Sequence, residues 1–325
     1  MDVDLILDAR ASADELLELG RLAEAQGIRG IWVSSLLDSR DPFTNLAPLA
    51  RTTERLLLGP VAVNPFDTHP VKIAAAWLTL NELAGGRARI VIGGGGEALA
   101  ALEIQPDRRV RSVAECVEIL RAAASGETVD YDGEMYRVHG LRLGWLRALA
   151  PPVHVGANQA QMLRMAARVA DGIMLSDMPE NLAAEAIATL DAALARHGRS
   201  RPDFATNMFT AWHVYADARA ARAEARRWLL LRGIFRPWLL ERFLEPADVA
   251  LVMENQEAFV AAFRRGSAEV DGVPDRVLDA LVDHITLCGG LDDLPRICAR
   301  LRACAEAGLA AVSLRLYAEP AESIR

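Results

Sequence analysis

The sequence predicts an α/β fold of the (β/α)8 barrel type, on three observations. Runs such as Leu56–Leu58 and Val61–Val63 are apolar with no polar alternation, as in parallel strands covered on both faces. Segments with apolar residues at helical spacing separate these runs, and the short connections call for parallel pairing and right-handed crossovers. Eight such runs can be placed along the chain, the number that closes a barrel.

In chain order, Val3–Leu7 reads as the first strand. Ser12 caps the helix that follows, with Glu15 completing a capping box, and Gly27 ends it. Ile31–Val33 is the second strand, followed by a loop with Asp41-Pro42 and a helix over about 44–53. The stretch from Leu56 to Glu97 supplies the third and fourth strands. Asn64-Pro65 and His69-Pro70 close the third strand. Ile73, Ala76, Trp77, Leu80 and Leu83 mark the helix between, and Gly85-Gly86 stop it. Arg89–Ile92 is the fourth strand, and Gly93–Gly96 follow its carboxyl end.

A helix over 107–124 comes next, then a hairpin excursion near 125–145 turning at Asp132-Gly133. Val153–Val155, Gly172–Leu175, Asn207–Tyr215 and Ala311–Leu316 are strands five to eight. The region near 228–282 reads as a helical insertion. After the eighth strand so few residues remain that a last outer helix must be short or missing. The whole chain, 1–325, is expected to be one barrel domain. The competitor is a doubly wound nucleotide-binding sheet, because Gly93, Gly95 and Ala98 match GxGxxA. That motif belongs in a first βα turn, whereas three strands precede it here, and no suitable acidic residue follows about 20 positions on.

At 52% hydrophobic and 25% charged the chain can bury a large core. Its net charge of −8 argues against a general nucleic-acid surface. No apolar run is long enough to span a membrane, and the amino terminus lacks the pattern of a signal peptide. Lys72 is the only lysine, so lysine Schiff-base and P-loop chemistry are discounted. Cys116, Cys288, Cys298 and Cys304 form no CxxC, and His284/Cys288 lack a second ligand pair. The expectation is a reducing cytoplasm, with no disulfide and no metal. No GxSxG nucleophile elbow is present.

Four glycines at a strand's carboxyl end suit close approach of a planar or phosphorylated ligand, and equally a glycine-rich turn with no ligand. Here the residues become recognisable. LGPVAVNPFDTHP…TLNELAGGRARIVIGGGGE resembles the luciferase-like flavin and deazaflavin oxidoreductases, above all their methylenetetrahydromethanopterin reductase branch. PPVHVGANQAQMLRMAARVADGIMLS, RDPFTNLAPLARTTERLLLG and CGGLDDLPRICARLRACAEAGLAAVSL resemble further blocks in the family's order.

The resemblance implies this barrel with insertions, binding coenzyme F420, or alternatively FMN, at the carboxyl ends of the strands. It implies that Asn64 contacts the ring and that Gly93, Gly94, Gly95 and Gly96 carry the side arm. It further implies that Gly156, Ala157 and Asn158 offer backbone donors to a phosphate, and that Val61-Ala62 is a non-prolyl cis bond. Gly156–Asn158 lead directly into a helix, and helix N-termini bind anions. The family commonly carries Asp-His at the end of strand two, where this chain has Ser35 and Leu36. Glu97 and Asp8 are the candidate catalytic acids or bases, with His69 read as structural.

The implied function is hydride transfer between coenzyme F420 and a small organic substrate such as a methylene-tetrahydropterin or folate-like one-carbon carrier. The alternatives are an FMN-dependent monooxygenase and a non-catalytic ligand-binding barrel. A homodimer is expected, through helical faces bearing residues such as Trp77, Met162 and Met165.

Overall fold

The computed structural model describes residues 1–147 and 150–325, with Glu97 described at its backbone only. Its strands are β1 (Asp2–Leu7), β2 (Gly30–Ser34), β3 (Leu57–Val61), β4 (Ile90–Ile92), the antiparallel pair β5 (Val129–Asp132) and β6 (Arg137–Leu141), then β7 (Val153–Gly156), β8 (Gly172–Ser176), β9 (Ala205–Val214), β10 (Thr286–Gly289) and β11 (Ala311–Arg315). The main sheet runs β3-β2-β1-β11-β9-β8-β7-β4, all parallel. Its two ends, β3 and β4, meet through Leu58 N–H to Arg87 O (3.1 Å), Arg89 N–H to Leu58 O (2.8 Å), Val63 N–H to Val91 O (3.0 Å) and Gly93 N–H to Val63 O (2.8 Å). The eight strands therefore close into a (β/α)8 barrel. Between these bonds the Val61-Ala62 peptide is cis, as the resemblance implied.

The helices needed to place the site are α1 (Ala13–Ala25), α2 (Pro42–Thr52), α3 (Pro70–Leu83), α4 (Arg109–Ala124), α5 (Ala160–Val169) and α6 (Glu180–Arg196). Ser12 and Glu15 form the expected capping box on α1. Helix α2 starts two residues before the expected position, because the Asp41 carboxylate accepts the Thr44 N–H at 2.7 Å and Pro42 fills the first turn. His69 has the structural role read from its position: its Nδ1 caps α3 by accepting the Val71 N–H at 3.2 Å.

One strand differs from the sequence reading. The four residues of β10, given no element in the sequence reading, follow directly on α11 (Asp275–Ile285) and pair with β9 from Ala211 to Val214. Strand β9 is ten residues long, so it outruns β8 and β11 and leaves that stretch open to a further partner. The region 228–282 consists of short helices, among them α8 (Pro237–Leu240), α9 (Pro246–Glu254) and α10 (Gln256–Arg265). The final helix, α13 (Pro320–Ile324), is short. Cys116, Cys288 and Cys304 are buried free thiols and Cys298 is exposed. Among the described residues no helix is long and apolar enough to cross a membrane.

The barrel interior is layered. At its floor the buried Asp4 carboxylate accepts Arg29 Nε (2.8 Å) and Nη2 (2.6 Å), Trp32 Nε1 (3.0 Å) and Asn207 Nδ2 (3.1 Å). The penalty for burying this charge is offset by those bonds. Above it, Ile6, Trp32, Val61, Val91 and Met174 form an apolar plug. Gly59 lets β3 approach β4: a Cβ there would lie 2.2 Å from Arg89 O. Gly59→Ala is expected to cost about 1–3 kcal/mol by overpacking against a backbone that cannot give, read as a lower urea midpoint.

His154 also lies in the floor, and burial, followed by the charge of Arg89, pushes its pKa down to about 3. The fold thus holds it neutral, so its contribution to stability is complete above the ordinary value near 6.5 and is lost as pH falls toward 3. His154→Gln is expected to flatten the dependence of Tm on pH between about pH 6.5 and 5, where one such group alone gives a slope of up to about 1.4 kcal/mol per pH unit. An unchanged slope would count against a buried neutral imidazole.

Candidate active site at the carboxyl ends of the strands

A cleft of about 910 Å³ opens at the carboxyl ends of β2, β3, β4, β7 and β8. Ala62, Asn64, Gly93, Gly94, Gly95, Gly96, Gly156, Ala157 and Asn158, singled out in the sequence, all line it. The glycines leave room that side chains would fill. A Cβ on Gly93 would come within 3.0 Å of the Ala62 Cβ, across the space between β3 and β4. Gly95 has φ +73°, and its Cβ would lie 2.5 Å from Leu99 Cδ1, so glycine is required there.

Val61 is not part of the lining. Its side chain is buried in the apolar plug, and it bears on the cleft through the peptide bond to Ala62. Asp8 lies on a separate cavity of about 390 Å³ with Arg10, Glu15 and Tyr317. There it accepts the Arg10 N–H at 3.0 Å and stands 3.8 Å from Arg315 Nη2. Glu97 opens a short 3-10 helix ending at Leu102, directly after the glycines; its side chain falls outside the described residues.

Both asparagines shape the backbone. Asn64 Oδ1 accepts the Phe66 and Asp67 N–H groups (3.0 and 3.2 Å), and its Nδ2 donates to the Asp67 carboxylate at 2.6 Å. Asn158 bonds both ways to the Ser176 backbone, Nδ2 to the carbonyl at 3.0 Å and Oδ1 from the N–H at 2.9 Å, tying β7 to β8. The Ala157 N–H is spent on Met174 O at 3.1 Å. This corrects one expectation, since that amide is already used inside the sheet. The anion-binding feature that remains is the N-terminus of α5, which has no side-chain cap and begins at Gln159 on the cleft wall.

The sequence reading missed several lining residues. Arg109 and Met162 come from the first turns of α4 and α5, and Arg236 and Trp238 from the 228–282 region. Leu36, Leu37 and Leu102 line the cleft while 40–48% exposed, although large apolar side chains seldom stay so open without something to cover them. Leu36 is the position at which the resemblance led to the expectation of a His. Of the residues named for a dimer face, the Trp77 and Met165 side chains are buried in the core and Met162 lines the cleft. Arg40 donates to the Arg10 carbonyl.

Beside the cleft, at the end of β8, Asp177 and Arg232 form a buried ion pair at 3.1 Å, with the Arg232 guanidinium 5.0 Å from the Phe209 ring centre. Among the described residues no group of three or more His, Cys, Asp and Glu could hold a metal ion.

The chain is similar to known proteins in sequence and in fold. Residues 2–311 match the family described as luciferase-like monooxygenase, and the chain belongs to that family. Within it, the chain is 32% identical over 278 residues to the 5,10-methylenetetrahydromethanopterin reductase of Archaeoglobus fulgidus, covering 84% of this chain and 82% of that one. It is 28% identical over 250 residues to an F420-dependent glucose-6-phosphate dehydrogenase of Microbacterium testaceum, covering 70% and 74%. The solved coenzyme F420 dependent tetrahydromethanopterin reductase of Methanopyrus kandleri superposes with a TM-score of 0.83 at 18% identity, over 99% of this chain and 96% of that one, so the fold is shared.

Asn158→Ala leaves the Ser176 N–H and carbonyl without partners. It is expected to cost about 1–3 kcal/mol, measured as a fall in the denaturant midpoint.

Proposed function

We propose that this chain is a coenzyme F420-dependent oxidoreductase acting on a small organic substrate of the methylene-tetrahydropterin type. The observation that carries the reading is the cleft at the barrel mouth, where Ala62 and Gly93–Gly96 present backbone with almost no side chain. The relatives above, two of them F420-dependent by name, support the choice of cofactor.

The residues present fit such a group. The glycines and Ala62 keep the cleft rim at the ends of β3 and β4 free of bulky side chains, which suits close approach of a flat ring. Met174 and the exposed Leu36, Leu37 and Leu102 offer apolar surface that would be covered on binding. Arg109, Arg236 and the uncapped start of α5 are suited to the phosphate and carboxylates of a side arm. The deazaflavin supplies the chemistry, giving or taking a hydride at its ring. The protein's part is to hold the two reacting rings together and keep water out. Of the two carboxylates proposed for proton transfer, Asp8 lies on the other cavity, so the role falls to Glu97, whose neighbours Gly96 and Ala98 both line the cleft. Leu36 gives the β2 wall apolar contact and no acid or base at that position, which leaves proton transfer to Glu97. A homodimer would need a surface other than Trp77, Met162 and Met165, and light scattering reads the state directly.

Fluorescence titration of the purified protein with coenzyme F420 and, separately, with FMN tests the reading. Saturable quenching by coenzyme F420 alone is expected. FMN binding alone would point to a flavin monooxygenase, and no response to either would leave a barrel that binds something else. Gly93→Val is expected to weaken F420 binding more than about 50-fold, with Tm within about 3 °C of the parent.

A further inference from the structure

The hairpin β5–β6 departs from the barrel and lines no part of the cleft, yet it touches the cleft's wall at one point. The hydroxyl of Tyr136, in the turn, donates to the carbonyl of Pro65 at 2.7 Å. The same ring stands edge-on to His69, 5.8 Å between centroids at 89°. Pro65 lies in the 62–69 loop, which brings Ala62, Asn64, Asp67 and Thr68 to the cleft.

The turn itself is held from beneath. Glu115 of α4 is 1% exposed, and its carboxylate accepts the N–H groups of Glu134 (2.9 Å), Met135 (2.8 Å) and Tyr136 (3.0 Å). A buried carboxylate with three backbone donors is a stiff clamp, because releasing any one leaves a charge less well solvated. Gly133 permits it: a Cβ there would lie 2.4 Å from Glu115 Oε2. An unbroken series of contacts thus runs from α4 through the turn to the loop that faces the glycines.

We propose that the hairpin is a brace for the 62–69 loop and that Tyr136 is a positioning residue for the cofactor, acting through the Pro65 carbonyl without touching the ligand. The proposal rests on the F420 reading above. It explains why an excursion outside the barrel is anchored by a fully buried acid. Burial raises the Tyr136 phenol to about 12, so the hydroxyl remains a donor throughout the neutral range.

The test compares Tyr136→Phe with Tyr131→Phe. Tyr131 lies on the same hairpin but directs its hydroxyl to Glu118 on α4, at 2.5 Å. Tyr136→Phe is expected to raise the F420 dissociation constant by about fivefold in fluorescence titration and to raise KM for coenzyme F420 with kcat unchanged. It should also speed amide exchange across residues 62–69 while Tm stays within about 2 °C. Tyr131→Phe is expected to leave both affinity and exchange at parent values. If Tyr136→Phe binds coenzyme F420 as tightly as the parent, or Tyr131→Phe weakens binding as much, the brace is refuted and the functional reading stands. If the parent itself takes up no coenzyme F420, the functional reading falls and the assignment falls with it.

Discussion

The close approach of β3 to β4 governs the rest of the molecule. Gly59 lets the Arg89 backbone come so near that a single carbon would collide, and the hydrogen bonds that close the ring lie on either side of residues 59–62. There Val61 packs into the apolar plug and Ala62 lines the cleft. The barrel is sealed and its mouth is kept free of bulky side chains by the same few residues. Everything proposed for the ligand follows from that coincidence of closure and access.

The barrel was legible because parallel strands buried on both faces leave uninterrupted apolar runs, which local sequence displays directly. The glycines of the cleft were legible for a related reason: four in succession at a strand's end have few structural uses. Strand β10 was not, since four residues after a helix, Thr-Leu-Cys-Gly, carry no periodicity of their own, and they pair with the surplus length of β9. Nor was the floor of the barrel. Asp4 sits in a strand like any polar residue, and only the closed ring brings Arg29, Trp32 and Asn207 to it. Arg109, Arg236 and Trp238 reach the cleft from first turns and from an insertion, positions that tertiary structure alone brings together. Asn64 and Asn158 were placed at the cleft from resemblance, and the structure gives each a backbone task there that the sequence could not disclose.

The mouth is uneven. The large cleft lies at the ends of β2, β3, β4, β7 and β8, whereas the smaller cavity with Asp8 and Tyr317 lies beside the ends of β1 and β11. Arg232 comes down from the region after α7 (Ala218–Arg227) onto Phe209 and Asp177, and His213 stacks on Tyr317 at 4.6 Å. The wall on that side thus includes a buried charged pair, Asp177 and Arg232. That wall is built partly from the insertion, so the shape of the cavity depends on chain far from it in sequence.

The Asp177–Arg232 contact fastens the start of the inserted helices to the barrel with both ends out of water, and α11 delivers the chain to β10 at the other end. Between these moorings Leu239, Leu240 and Val252 pack into the main core, so the segment that carries Trp238 to the rim is seated along its length. A change of volume in the barrel wall beneath it is therefore transmitted to the rim through this packed layer.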